Sequence, residues 1–301
     1  MPITYTYDDN ARREDLLDII TNISPRETQL LSGLGTSKAK DILHQWLTDT
    51  LATASANAHV EGVDATYPDT TDPTRLTNFC QIFRKGISVS DTEREINAAG
   101  FSDRLTYEVT KKLRELKNDI EYAITRGSLA CGSGSAARQL KGIKYWLLSN
   151  NYSNISGTTL TEALLNHYMG LVWTDGVDVN AIYCPLKIKQ TISAFTSGAT
   201  KYVELNDKRL VNAVDVYESD TTNLPVKLFK HRYISTSDDG TYHDLVGINE
   251  DYFKVAYLRM PQERELAKTG DATNKEVIAE LTLECLHENA GFYIAQAAAG
   301  A

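Results

Sequence analysis

The sequence predicts an α+β fold from three features. Residues 103–126 carry apolar side chains at steps of three and four, the spacing of one helix face. Val277, Ala279, Leu281, Leu283 and Cys285 alternate with Glu280, Thr282 and Glu284, the spacing of a strand with one face covered. Helical and strand patterns follow one another without regular βαβ alternation, which points to segregated elements.

Taken in order, Asp9 or Asn10 can cap a helix over residues 10–33, with Leu16, Leu17, Ile19, Ile20 and Ile23 as its apolar stripe. Ser24-Pro25 breaks it, because proline has no N–H and disfavours a helical residue before it. A short turn with Leu30, Leu31 and Leu34 follows and ends at the Gly33/Gly35 pair. Residues 41–51 and 76–90 read as strands of mixed polarity. Between them Ala52–Thr74 is polar and holds Gly62, Pro68 and Pro73. So long a structureless connection is uncommon inside a compact domain. If the flanking strands pair, they form a ribbon that is marginal alone in water and needs a neighbour to lie on.

Ser102 or Asp103 caps the helix of 103–126 and Gly127 stops it. Leu105, Val109, Leu113, Leu116, Ile120 and Ala123 draw its stripe, and Glu108/Lys112, Lys111/Glu115 and Lys117/Glu121 are expected as opposite-charge pairs on the remaining surface. At 1.5 Å per residue it is roughly 36 Å long, a rod suited to lying across a sheet. Thr159 to Glu162 reads as a capping box for a helix reaching about Val172. Pro185 opens another, with Leu186, Ile188, Ile192 and Phe195, that stops near Gly198. Short strands are expected at 202–205, 211–217, 226–234 and 252–258. Ala295–Ala301 reads as a tail with little packing power.

The 301 residues allow one large domain or two modest ones, and 42% hydrophobic content allows a sizeable core. No apolar run approaches the ~18 residues of a spanning helix, and mean hydropathy is −0.33. The polar, acidic start Met1–Asn10 lacks the basic and then apolar pattern of a secretory signal, so a cytoplasm-like compartment and no membrane are expected. A net charge of −9 is the reverse of a free nucleic-acid binder. Cys80, Cys131, Cys184 and Cys285 form no CxxC pair and are expected reduced and mostly buried.

No run builds an active site. Glu276, Glu280, Glu284 and His287 would share a face only on a helix; the period of two makes them a solvated or interfacial acidic row, not a metal site. In Gly33-Leu34-Gly35-Thr36-Ser37-Lys38 the lysine follows Thr-Ser, out of order for a phosphate loop. Cys131-Gly132-Ser133-Gly134-Ser135 lacks the order of a nucleophile elbow and reads as a connector. The histidines at 44, 59, 167, 231, 243 and 287 show no paired spacing, and His167 reads as a core-edge residue. Of the basic clusters, Arg84-Lys85 and Lys111-Lys112-Arg114-Lys117, the second is interleaved with acids and reads as a solvated face; weak contact with DNA phosphate is its functional alternative. No catalytic residue, cofactor or metal is expected.

Several runs carry a resemblance. Arg13-Glu14-Asp15-Leu16 leads to Asn22-Ile23-Ser24-Pro25 and Leu31-Ser32-Gly33-Leu34-Gly35. Trp46, Thr48-Asp49-Thr50-Leu51-Ala52, Ala56-Asn57-Ala58-His59, Pro73-Thr74-Arg75-Leu76 and Gln81-Ile82-Phe83-Arg84-Lys85 follow. Glu115-Leu116-Lys117, Asp119-Ile120-Glu121, Leu210–Tyr217 and Leu266–Asp271 complete the series. In this order the sequence resembles tailed-bacteriophage major capsid proteins of the Hong Kong ninety-seven-type capsid fold. Ser219–Val226 and the hairpin tip Val60–Asp72 depart from the family's pattern.

The resemblance implies an N-terminal arm at 1–40 and an extended loop hairpin at 41–91. It implies a peripheral domain at 92–157 and 246–286 with a spine helix at 103–126, and an axial domain at 158–245 and 287–301. It also implies self-assembly into hexamers and pentamers of an icosahedral virion shell, formed in the bacterial host cytoplasm. That shell encloses double-stranded DNA without gripping it, and portal, scaffolding or decoration proteins are possible partners. No long charged helix precedes the arm, so no internal scaffolding extension is expected. The rival readings are a cargo-holding nanocompartment of the same fold, an enzyme of unknown class using the Cys131 loop, and another virion part such as a tail or decoration protein.

Overall fold

The two strongest patterns of the sequence meet as a helix laid on a sheet. In the computed structural model, residues 28–65, 67, 72–96, 103–148, 151–195, 214–234, 241–268 and 270–298 are described. The helix expected before residue 28 and the strand at 202–205 fall outside them. The first half forms α1 (Gln29–Gly33), β1 (Gly35–Lys38), β2 (Leu43–Thr48), β3 (Thr74–Phe79), β4 (Gln81–Ser90), α2 (Asp91–Glu95), α3 (Arg104–Arg126) and α4 (Ile143–Leu147). The second half forms β5 (Tyr152–Asn154), α5 (Glu162–Thr174), β6 (Ala181–Cys184), α6 (Leu186–Ser193), β7 (Val216–Tyr217), β8 (Val226–Lys230), β9 (Tyr242–Ile248), β10 (Phe253–Glu265), β11 (Ala272–Cys285) and β12 (Gly291–Ala298).

One sheet runs β1-β10-β11-β4, and α3 packs on its β4 and β11. Asp103 caps α3 by accepting the Leu105 N–H at 3.1 Å, and the Gly127 N–H closes it on the Ala123 carbonyl at 2.7 Å. Leu105, Val109, Leu116, Ile120 and Ala123 are buried, and Leu113 is half-buried against the same core. The charged face differs from expectation. Lys112 reaches Glu115 and Lys111 reaches Glu108, three residues away in each case, while Glu121 is wholly buried. The apolar stripe widens toward the helix end, where Ile124 and Thr125 also go inside.

β11 is covered on both faces and not one. Glu280, expected in a solvated or interfacial row, and Thr282, on the polar face of a half-buried strand, are both buried. The base of the β2–β3 hairpin and the 138–141 segment lie against the polar face, so the alternation marked two buried environments of different polarity. The expected long ribbon is also divided. β2 and β3 pair from Leu43↔Phe79 to Thr48↔Thr74, and after Cys80 the chain changes partner, β4 pairing with β11. β10 outruns its expected end at 258 because Pro261 lies beyond the stretch paired to β1, on an edge where a missing N–H costs nothing.

The second sheet runs β5-β12-β9-β6-β8-β7. β6, four buried residues, went unread before its helix α6. β8 stops at Lys230, short of the expected 234. Thr161, not Thr159, caps α5, accepting the Leu164 N–H at 3.3 Å; Thr158 and Leu160 are tied instead to Ala298. That tie corrects the expected tail: residues to Ala298 form β12, pairing with β5 and β9, and Ala295 and Ala297 are buried. Alanine has weak strand preference, so the run carried no pattern. Gly247 on β9 makes room for Phe292 of β12, since a methyl there would fall 2.3 Å from the Phe292 ring.

Candidate assembly interface

The most exposed segment is the ribbon between Thr48 and Thr74. Its described residues, 49–65, 67, 72 and 73, are all exposed, including Leu51 at 99% and Tyr67 at 93%. Val60 and Val63 add to an apolar surface that the described residues of the subunit leave uncovered. Residues 49–73 hold Asp49, Glu61, Asp64, Asp69 and Asp72 and no lysine or arginine.

The base of this ribbon is held tightly. Trp46 on β2 donates its indole N–H to the Cys285 carbonyl at 2.7 Å, and its ring centroid lies 5.6 Å from that of Trp146. The Lys141 ammonium sits 3.7 Å over the Trp146 ring. Asn78 on β3 donates to the carbonyls of Leu283 (2.7 Å) and Lys141 (3.1 Å) and accepts the Lys141 N–H at 2.8 Å. Further back along β11, Glu280 binds Arg138 at 2.6 Å and Arg259 at 2.8 Å, and Arg138 also donates to the Cys80 carbonyl at 3.2 Å. An asparagine with three bonds inside and a two-arginine carboxylate fix the angle at which the ribbon leaves the body.

The structure disperses the chemical candidates. Among the described residues no group of three or more His, Cys, Asp or Glu could hold a metal. Glu284 accepts the Ser37 hydroxyl at 2.7 Å, and His287 Nδ1 accepts the Asn289 N–H at 3.0 Å. Gly33–Lys38 ends α1 and forms β1. All four cysteines are free and only Cys131 is exposed. Burial pushes the Cys80 thiol up to about 11 and those of Cys184 and Cys285 up to about 12, so they stay protonated at neutral pH. His167 is exposed, outside the core edge expected for it. Lys85 pairs with Asp119 at 2.6 Å, tying one basic cluster to α3. No helix among the described residues is long and apolar enough to cross a membrane.

Sequence reasoning missed the groups that organise the body: Trp46 and Asn78 as anchors, Glu280 as a buried ion-pair centre, and Glu121 with His231. Their partners lie between 21 and 239 residues away along the chain. The one local signal was Glu121 between Ile120 and Ile124, on the edge of an apolar stripe.

The sequence model of the SU10 major capsid protein family matches residues 2–298. The chain belongs to that family. As a family member it is 32% identical over 123 residues, 40% of its length, to the major capsid protein of Escherichia phage Phieco32. The match spans 35% of that relative's length. The fold is shared with a Mycobacterium phage Adephagia structure at TM-score 0.63 and 10% identity, covering 99% of this chain and 98% of that one. The holo-SrpI encapsulin complex from Synechococcus elongatus PCC 7942 matches at TM-score 0.63 and 10% identity, over 100% and 98%. The fold of this family member is therefore the Hong Kong ninety-seven-type capsid fold.

Proposed function

We propose that the chain self-assembles, as hexamers and pentamers, into the icosahedral head shell of a tailed phage, built in the host cytoplasm around double-stranded DNA. One observation carries this reading: the ribbon between Thr48 and Thr74, whose described residues 49–65, 67, 72 and 73 are all exposed, stands on a rigid base and finds no cover among the described residues of its own subunit. A second copy supplies that cover, within the large interface an obligate assembly needs. The net charge of −9 suits enclosure of DNA driven in by other machinery, not a grip on it. Portal, scaffolding and decoration proteins are candidate partners of the finished shell.

The division into an arm at 1–40, an extended loop, a peripheral domain around α3 and an axial domain around the six-stranded sheet is part of the same proposal. The strand register supports three refinements. The loop is confined to β2, β3 and the ribbon between them, because β4 belongs to the four-stranded sheet. β5 goes with the axial domain, and β9 goes there whole, so that domain boundary falls after Ile248.

Deleting Ala56–Asp72 is the direct test. The expected outcome is a folded subunit that forms no shells in electron micrographs; shells of normal yield from the deletion would refute the reading. The fold match to an encapsulin supports a second reading, a shell that holds protein cargo. Particle contents separate them: nucleic acid favours the first reading and protein cargo the second.

A further inference from the structure

The described chain begins in a socket shared by three parts of the molecule. Glu121 on α3, wholly buried, gathers three donors. They are the Leu30 N–H and Leu31 N–H of α1, each at 2.8 Å, and His231 Nε2, just beyond β8, at 2.7 Å. His231 Nδ1 accepts the Tyr233 N–H at 3.3 Å, so the network places the ring proton on Nε2, aimed at the carboxylate. Arg126, one turn along α3, donates to the Tyr233 carbonyl at 2.5 Å.

The opposite side of α1 is equally close-fitted. A methyl on Gly33 would fall 2.6 Å from Glu250 Oε1 and 3.0 Å from the Tyr183 hydroxyl oxygen. Tyr183 donates to that same Glu250, and its ring stands edge-on to His231 with centroids 5.9 Å apart. The root of the arm, the helix over one sheet and the end of β8 in the other sheet therefore converge on one carboxylate, with Tyr183 of β6 packed against His231. A buried carboxylate is expensive unless its lone pairs are filled.

We infer that Glu121 is a positioning residue for assembly: it fixes the direction from which the chain before Gln29 joins the body and couples it to the placement of the six-stranded sheet against α3. The inference rests on the reading of residues 1–40 as an intersubunit arm. In a shell whose subunits sit in unequal surroundings, a movement between the two sheets is then transmitted to the arm through Leu30, Leu31 and His231.

The test is E121Q. Glutamine fills the same space but offers one acceptor in place of two. With its oxygen kept at Leu30 and His231, its amide nitrogen faces the Leu31 N–H, donor against donor. Hydrogen exchange at Leu31 in free subunits should speed up by about tenfold, the loss of one buried hydrogen bond, while the α3 interior stays protected. The yield of closed shells should fall several-fold in favour of open or irregular particles. E121A should release Leu30 as well; if it fails to fold, E121Q decides alone. A side chain that only filled space would be replaced by glutamine without effect, so wild-type exchange at Leu31, or wild-type shell yield, in E121Q overturns the inference. Deleting residues 1–27 separates it from the reading beneath it. Normal shells from that deletion remove the arm's role, while exchange at Leu31 still reports whether Glu121 holds the root.

Discussion

The two ends of the β2–β3 ribbon are opposites. At its base, Trp46 and Asn78 spend nearly every polar atom on partners in the body, and Cys80, Leu283 and Cys285 around them are buried. At its far end, Leu51, Val60, Val63 and Tyr67 stand in water. A segment that simply lacked structure would be loose at both ends. The difference shows an aimed projection: the body sets the angle, and the contact surface is left for another molecule.

Substitutions can break this comparison from either end. W46A should have the largest effect on the subunit, about 3–5 kcal/mol of stability, through a lost indole in the core and an orphaned Cys285 carbonyl. The check is the urea unfolding midpoint. E280A should cost less, about 2 kcal/mol, because Arg138 and Arg259, though left without their acid, both reach solvent. N78A, read in the same way, should cost about 1–2 kcal/mol for stranding the Lys141 N–H and the Leu283 carbonyl. An E280A or N78A subunit as stable as wild type would mean the base is not rigidly held.

At the other end the expectation reverses. Y67S should leave subunit stability within about 0.5 kcal/mol of wild type, as for an exposed site, and yet lower shell yield. A large stability loss would show that Tyr67 is covered within its own subunit. Thiol labelling gives the smallest and sharpest contrast. At neutral pH an alkylating reagent should modify Cys131 and spare Cys80, whose thiol burial pushes up to about 11. Labelling of both at one rate would contradict a closed base.

How much was legible in the sequence follows from the distance over which each feature is determined. α3 was readable almost to the residue, because its stripe, Asp103 cap and Gly127 stop are local. The ribbon was readable from composition. β11 was found but its polar face misjudged, because Glu280 is buried by arginines 142 and 21 residues away. β12 was read as a tail because alanines look alike in a tail and in a tightly packed strand, and the strands it pairs with, β5 and β9, lie far away in sequence. Glu121 was assigned to a helix-surface pair with Lys117, since nothing nearby in sequence announces the backbone N–H groups of Leu30 and Leu31 or the ring of His231. The joint that organises the subunit was not legible, because it is written in three places.

Hydrogen exchange of residues 49–65, compared between free subunits and assembled particles, tests the central claim most directly. The account predicts fast exchange in the free subunit and strong protection in the particle, with the Trp46 and Asn78 region protected in both. Protection of 49–65 already present in the free subunit, or fast exchange persisting in the particle, would contradict it.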